Sequence, residues 1–131
     1  MTGILDAQAL LAFFGKERGH EKVESALIIA LEAGSHLLIA SVNFGEVYYV
    51  VLRRHGQEKA EEVARTIQSL PIEVVDVDPS LAKEAGRFKA KHKISYADCF
   101  AAALTKVHKG ELLTGDREFE QLEGDIKIAW I

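Results

Sequence analysis

The sequence predicts an α/β fold in which a mostly parallel sheet lies between helices on both of its faces. Two observations lead to this class. Short apolar segments alternate along the chain with longer segments whose apolar residues recur at helical spacing. No internal repeat, linker or block of like charge interrupts the alternation, so we expect one domain covering residues 1–131.

The first third of the chain predicts two strands and two helices. Gly3–Asp6 is a short apolar segment ending in a carboxylate, which is typical of a buried strand. Apolar residues then recur at helical spacing over Ala7–Phe14, with glycines soon after to end the helix. An i, i+3, i+4 stripe from Val23 to Leu31 indicates a second helix before Gly34, and His36–Ala40 predicts the second strand.

The middle of the chain predicts two helices and a strand. Ser41 is a suitable N-cap for a helix that continues to Gly56. Helical spacing resumes over Glu58–Leu70 until Pro71 ends it. Ile72–Val77 is rich in β-branched residues and predicts the third strand.

The last third repeats the alternation. Pro79 opens a helix that we expect to end near His92, and Ser95 caps the next, apolar helix. The remaining predicted elements are a strand at Glu111–Thr114, a short helix at Arg117–Leu122 and a final strand at Ile126–Ile131.

Composition narrows the possible functions. The chain is 48% hydrophobic and 27% charged, as expected of a globular protein with a full core. The N-terminal apolar segment lacks a preceding basic region, and no segment is long enough to span a bilayer, so we expect a cytoplasmic protein without membrane contact. The single cysteine, Cys99, fits a reducing compartment. A net charge of −4 disfavours nucleic-acid binding unless metal neutralises the acids at one site.

Four acids stand where such a site is expected. Asp6 ends the first predicted strand, and Asp116 lies just beyond Thr114 at the end of the fourth. The carboxyl ends of parallel strands meet at one rim of the sheet, where ligands bind. Glu46 and Asp98 lie near the starts of helices that should open on the same rim. Converging carboxylates are ligands that Mg²⁺ or Mn²⁺ prefers.

Each acid also has a structural interpretation. Asp98 forms a Ser-x-x-Asp capping box with Ser95. Glu46 could be a first-turn acid favoured by the helix dipole. Thr114-Gly115-Asp116 could be a turn followed by a helix cap. Asp6 is the hardest to explain in this way, because charged residues are almost never buried unpaired.

In chain order, four motifs contain these acids: Leu5-Asp6-Ala7, Ser41-x4-Glu46, Ser95-Tyr96-Ala97-Asp98 and Leu113-Thr114-Gly115-Asp116. Together they resemble the motifs of PIN domains, in particular those of the VapC toxins of bacterial and archaeal toxin–antitoxin pairs. The order, spacing and element types agree over essentially the whole chain.

The resemblance implies a PIN-like α/β/α sandwich and an endoribonuclease that depends on Mg²⁺ or Mn²⁺. It also implies an RNA substrate, neutralisation by a cognate antitoxin and a homodimer. The acidic site of the family corresponds here to Asp6, Glu46, Asp98 and Asp116, with Thr114 as a polar helper. One departure is visible, because many relatives carry Ser or Thr directly after the first Asp, where this chain has Ala7.

The basic residues, the histidines and the cysteine give weaker indications of function. Lys83, Arg87 and Lys91 recur on one helix and could grip RNA phosphates, although a solvated helix face explains them at least as well. The five histidines show no paired ligand spacing, which argues against zinc. Cys99 has the apolar setting of a core residue.

Rival functions differ in what they require. A receiver domain needs an aspartate ending a central strand near residues 47–55, where this chain is helical in pattern. A haloacid-dehalogenase-type phosphatase needs Asp-x-Asp at the first strand, where this chain has Asp6-Ala7-Gln8. A PIN nuclease of RNA processing and a non-catalytic PIN-like binding module both remain open.

Overall fold

The computed structural model describes all 131 residues. The strands are β1 (Gly3–Leu5), β2 (Leu37–Ala40), β3 (Ile72–Val75), β4 (Glu111–Thr114) and β5 (Lys127–Trp130). The helices are α1 (Ala7–Gly15), α2 (His20–Glu32), α3 (Ser41–His55), α4 (Gln57–Ser69), α5 (Pro79–Lys91) and α6 (Tyr96–His108), with a 3-10 helix at Arg117–Leu122. The order of elements predicted from the sequence is confirmed.

The five strands form one parallel sheet in the order β3-β2-β1-β4-β5. Successive side chains of a strand point to opposite faces, so each strand contributes to two separate cores. In β1, Ile4 packs into the core under α5 and α6, whereas Leu5 packs into the core under α1 to α4. Helices therefore cover both faces, which confirms the predicted three-layer α/β/α sandwich.

Two predicted helix starts have different outcomes. Ser95 is the N-cap of α6, and its Oγ accepts a hydrogen bond from the Asp98 amide at 3.1 Å, as predicted. Ser41 was expected to cap α3 in the same way, and this is wrong. Ser41 is the first residue of α3, and the cap residue is Ala40, whose side chain cannot accept a hydrogen bond.

Several predicted strands end earlier than expected. The segment Ile72–Val77 forms a strand only as far as Val75, because Asp78 turns away to cap α5 and accepts from the Leu81 amide at 2.8 Å. Asp6 likewise leaves the strand that it was predicted to end. None of the helices is both long enough and apolar enough to cross a membrane.

Candidate metal centre

The order of the strands creates a crevice beside β1. The chain runs from β1 outward through β2 to β3, then returns to add β4 and β5 on the other side of β1. Such a switch of direction leaves an opening at the carboxyl ends of the two strands on either side of it, here β1 and β4. Because Leu5 pairs with Leu113, Asp6 and Thr114 follow side by side at this opening.

Asp6 is held rigidly at the mouth of the crevice. It is 1% exposed and is the N-cap of α1, with one carboxylate oxygen accepting from the Ala9 amide at 2.8 Å. The other oxygen accepts from the Thr114 hydroxyl at 2.5 Å. Burial raises the pKa of Asp6 to about 7, although the hydrogen bonds from Thr114 and Ala9 oppose the rise.

Thr114 connects Asp6 with Asp116. Its hydroxyl donates to Asp6 and also accepts a hydrogen bond from the Asp116 amide at 3.0 Å. Thr114 is completely buried, so this bridge is shielded from water. Thr114 was predicted to assist the acids as a polar residue. In the structure its hydroxyl forms hydrogen bonds to the Asp6 carboxylate and the Asp116 amide, and so it fixes the positions of both acids.

Asp98 and Asp116 face each other across the crevice. Asp98 is the third residue of α6, and Asp116 caps the 3-10 helix by accepting from the Glu118 amide at 3.0 Å. The capping interpretation of Asp116 is thus confirmed, and it leaves its second carboxylate oxygen available. Burial, together with the charge of Asp116, raises the pKa of Asp98 to about 6.

Glu118 joins these two acids, which the sequence interpretation did not anticipate. Asp98, Asp116 and Glu118 each place a carboxylate oxygen within 4.8 Å of the others. Asp6 and Glu46 lie outside this tight group, but both interact electrostatically with Asp116. The spacing Asp116-x-Glu118 was visible in the sequence, although an exposed glutamate in an acidic helix carries no signal by itself.

Glu46 approaches the crevice from α3. It lies in the second turn of that helix, and the first turn contains no acid, so the helix-dipole interpretation of Glu46 is wrong. Its Oε1 atom is buried without a hydrogen-bond partner. Burial raises the pKa of Glu46, the polar side chain of Asn43 opposes the rise, and the charge of Asp116 adds to it. A buried acceptor without a donor is costly, and a bound cation would satisfy it.

No basic side chain compensates this group of acids. None of Asp6, Glu46, Asp98, Asp116 and Glu118 forms an ion pair with a lysine, arginine or histidine. The neighbouring Arg117 instead lies over the Trp130 ring at 4.5 Å and pairs with Glu120. Hard oxygen donors without a basic partner fit a divalent cation such as Mg²⁺ or Mn²⁺.

Arg87 and Lys89, two of the basic residues of α5, are engaged within the protein. Arg87 pairs with Glu84 at 2.5 Å, and Lys106 of α6 pairs with the same glutamate at 3.3 Å. Lys89 donates to the Ile94 carbonyl at 2.7 Å. These contacts favour the interpretation of this region as a solvated, ion-paired helix face.

The PIN domain family model matches residues 3–125 of the sequence. The chain belongs to the PIN-domain family. Among curated proteins, none matches the sequence. Several solved structures have a similar fold.

Three structures illustrate the likeness. VapBC2 of Rickettsia felis bound to promoter DNA superposes with a TM-score of 0.78 at 15% identity, covering 99% of this chain and 98% of that one. DNA-bound VapBC of Salmonella typhimurium also gives 0.78, at 20% identity with coverages of 99% and 98%. VapC20 of Mycobacterium tuberculosis, described as a sarcin-ricin loop cleaving toxin, gives 0.71 at 16% identity with coverages of 95% and 96%. At these identities the likeness establishes a shared fold.

Ala7 stands where many relatives carry Ser or Thr, and in this PIN domain the next residue, Gln8, makes a hydrogen bond near the site. Ala7 is buried and offers no hydroxyl, but Gln8 follows it. The Oε1 atom of Gln8 accepts a hydrogen bond from the Gly115 amide at 2.7 Å. Gln8 therefore holds the loop that carries Asp116 against the start of α1.

Proposed function

We propose that this PIN domain is a metal-dependent endoribonuclease that hydrolyses RNA phosphodiester bonds. Asp6, Glu46, Asp98 and Asp116 would hold Mg²⁺ or Mn²⁺, with Thr114 orienting two of them. The observation that carries the proposal is a set of acids at the switch point of the sheet that has no basic partner, including the unpaired buried oxygen of Glu46.

The cation and the residues that hold it would have different roles in hydrolysis. When bound, the cation would lower the pKa of a water and offset charge on the scissile phosphate. Asp6 is fixed by its hydrogen bonds to Ala9 and Thr114, so it offers a ligand that needs little reorganisation. Neutralising the acids would also remove the repulsion that a chain of net charge −4 exerts on RNA.

We further propose that the chain is the toxin of a type II toxin–antitoxin pair. Support comes from its PIN family membership and from a fold shared with VapBC complexes. A surface groove of about 170 Å³ between α1, α3 and α4 offers an apolar site for an antitoxin segment. Its apolar lining is Leu11, Phe14, Val50, Val51 and Val63.

Two further assignments complete the proposal. We expect a homodimer, as the resemblance to the toxin family implies, and α2 carries exposed apolar side chains of the kind that interfaces bury: Ile28, Ile29 and Leu31. We also place the protein in the cytoplasm, where RNA is available. Light scattering of the purified chain tests the dimer, and a single species of monomer mass would contradict it.

Cleavage of end-labelled RNA tests the enzymatic proposal. The purified chain should cut RNA internally when Mn²⁺ is added after treatment with a chelator, and should not cut without metal. Absence of cleavage across ribosomal, transfer and messenger RNA, in a folded protein that binds Mn²⁺, would favour the non-catalytic binding module.

The antitoxin proposal has a separate test. An arginine or lysine of the antitoxin is expected to pair with the acids of the crevice, because arginine can bind carboxylates bidentately. Inhibition by the cognate antitoxin should then compete with metal and weaken on Glu46→Lys. An affinity unchanged by saturating Mg²⁺ and by Glu46→Lys would exclude this mode of inhibition, but not the nuclease. Cleavage without any inhibitory partner would instead favour RNA processing.

A further inference from the structure

Asn43 is a buried polar residue next to the acidic site, close enough for its side chain to act on Glu46. It is 0% exposed and is the third residue of α3. Its Nδ2 atom donates a hydrogen bond to the carbonyl oxygen of Ala97 at 3.0 Å. Ala97 belongs to α6, so the side chain of Asn43 joins two helices that are distant in sequence.

Both ends of this connection lie next to candidate metal ligands. Glu46 comes three residues after Asn43 on α3, and residues at this spacing share one face of a helix. On the other helix, Ala97 directly precedes Asp98. The bond between Asn43 and Ala97 therefore connects the turn that carries Glu46 with the turn that carries Asp98.

Fold stability alone gives no reason for an amide at this position. The Oδ1 atom of Asn43 is buried and has no hydrogen-bond partner, which disfavours the folded state. The Ala97 carbonyl lies within α6, where the helix supplies its own donor. A leucine of similar size would fill the space without burying an unpaired acceptor.

We propose that Asn43 is a positioning residue of the metal centre, which sets the spacing between the Glu46 and Asp98 carboxylates by fixing α3 to α6. The inference rests on the proposed metal-dependent function. Residues that orient metal ligands without touching the metal commonly change its affinity by about 10–100-fold when they are replaced.

Mn²⁺ binding by the purified protein tests this role directly. Calorimetric titration of Asn43→Leu should show Mn²⁺ affinity about 10–100-fold below wild type. Urea unfolding of the metal-free variant should show stability equal to or above wild type, because an unpaired buried acceptor has been removed. A residue that only supports the fold would give the opposite pattern, with lower stability and unchanged affinity of the folded protein.

Thr105→Val is a matched control. Thr105 is a buried polar residue of α6 that donates to the Ala101 carbonyl of its own helix at 2.8 Å. Its hydroxyl forms no hydrogen bond to α3, so its replacement by an apolar residue of similar size should leave Mn²⁺ affinity unchanged.

A double-mutant cycle with Glu46→Gln shows whether Asn43 affects Mn²⁺ binding by positioning Glu46. The alternative is that the leucine side chain lowers the affinity in some other way. If Asn43 acts through Glu46, Asn43→Leu should lower Mn²⁺ affinity much less in the Glu46→Gln background. An equal loss in both backgrounds would overturn the proposal.

The remaining outcomes are also decisive. Wild-type affinity in Asn43→Leu would overturn the role of Asn43 and leave the proposed function intact. Failure of the wild type itself to bind Mn²⁺ would remove the proposed metal centre and this inference together. If Asn43→Leu does not fold, Asn43→Ala is judged by the same criteria, and unfolding of both variants would assign Asn43 to the fold alone.

Discussion

Two groups of acids in this PIN domain have opposite surroundings. On the outer surface of α5 and α6, Glu84 contacts both Arg87 and Lys106, and Asp125 lies 3.5 Å from His92; we call this group the ion-paired face. At the carboxyl end of the sheet, the acids Asp6, Glu46, Asp98, Asp116 and Glu118 form the acidic rim, where no basic side chain pairs with them. Basic side chains therefore lie beside the acids of the ion-paired face but not beside those of the rim.

The electrostatic consequences differ accordingly. At the rim, burial raises the pKa of Asp6 to about 7, and burial with the charge of Asp116 raises the pKa of Asp98 to about 6. Ionising these groups at neutral pH therefore disfavours the metal-free folded state. Exposed ion pairs such as Arg87 with Glu84 contribute little in either direction. The contrast between the two groups supports the proposal that the rim binds a cation.

The largest expected effect is on RNA cleavage. Asp98→Asn should lower the single-turnover rate with Mn²⁺ by more than the roughly 100-fold expected when a residue that only orients a metal ligand is replaced, because a ligand charge is lost. Asp98 is a cleaner target than Asp6, whose carboxylate also accepts hydrogen bonds from Ala9 and Thr114. Glu84→Gln on the ion-paired face is the matched control and should cleave like wild type. Equal losses in both variants would remove the distinction between the two groups.

Thermal unfolding should separate the two groups next. A cation bound only to the folded protein at ~100 times its Kd stabilises it by roughly 2.7 kcal/mol. Wild type and Glu84→Gln should gain this stabilisation from Mn²⁺, whereas Asp98→Asn with Asp116→Asn should gain almost none. A full shift in the double variant would place the metal outside the rim.

The stability of the metal-free protein should depend on pH through the acids of the rim. A carboxyl group with a raised pKa in the folded state contributes stability below its unfolded pKa, and this is lost as the pH rises through the folded pKa. For Asp6, the pKa rises from its ordinary value of 3.8 to about 7 in the folded protein, so the stability is lost across this interval. Urea unfolding should show roughly 2 kcal/mol less stability near pH 8 than near pH 5. Saturating Mn²⁺ should reverse the slope, and a flat metal-free profile would contradict the burial of an unpaired Asp6.

The smallest effect is expected on the ion-paired face. Arg87→Gln removes one exposed partner of Glu84, while Lys106 remains. Its effect on stability should be below about 1 kcal/mol, and RNA affinity should change less than twofold. A large loss of RNA affinity, measured by filter binding at fixed salt, would restore α5 as a phosphate-binding surface.

Much of this arrangement could be predicted from the sequence because it depends on local pattern and on one rule of topology. Helical spacing and short apolar segments predicted the order of strands and helices. Asp6 and Asp116 were placed on one rim because the carboxyl ends of parallel strands meet there. Those predictions needed no knowledge of individual side-chain contacts.

The features of the site that could not be predicted from the sequence depend on contacts between distant segments. Glu118 joins Asp98 only once folding has brought the start of the 3-10 helix close to the start of α6. Gln8 holds Gly115, which lies 107 residues away in the sequence. Asn43 is one asparagine in an apolar segment, and its bond to Ala97 exists only once α3 and α6 have packed. The prediction of Ser41 as a cap was wrong because Ala40 occupies the cap position.

Anomalous diffraction from a crystal soaked in Mn²⁺ would show whether the acidic rim binds the cation, because it locates the ion without relying on activity. We expect a peak at the acidic rim within ligand distance of Asp98 and Asp116, and we expect this peak to be lost in Asp98→Asn. A fully occupied peak at the ion-paired face beside Glu84 or Asp125, with none at the rim, would contradict this expectation.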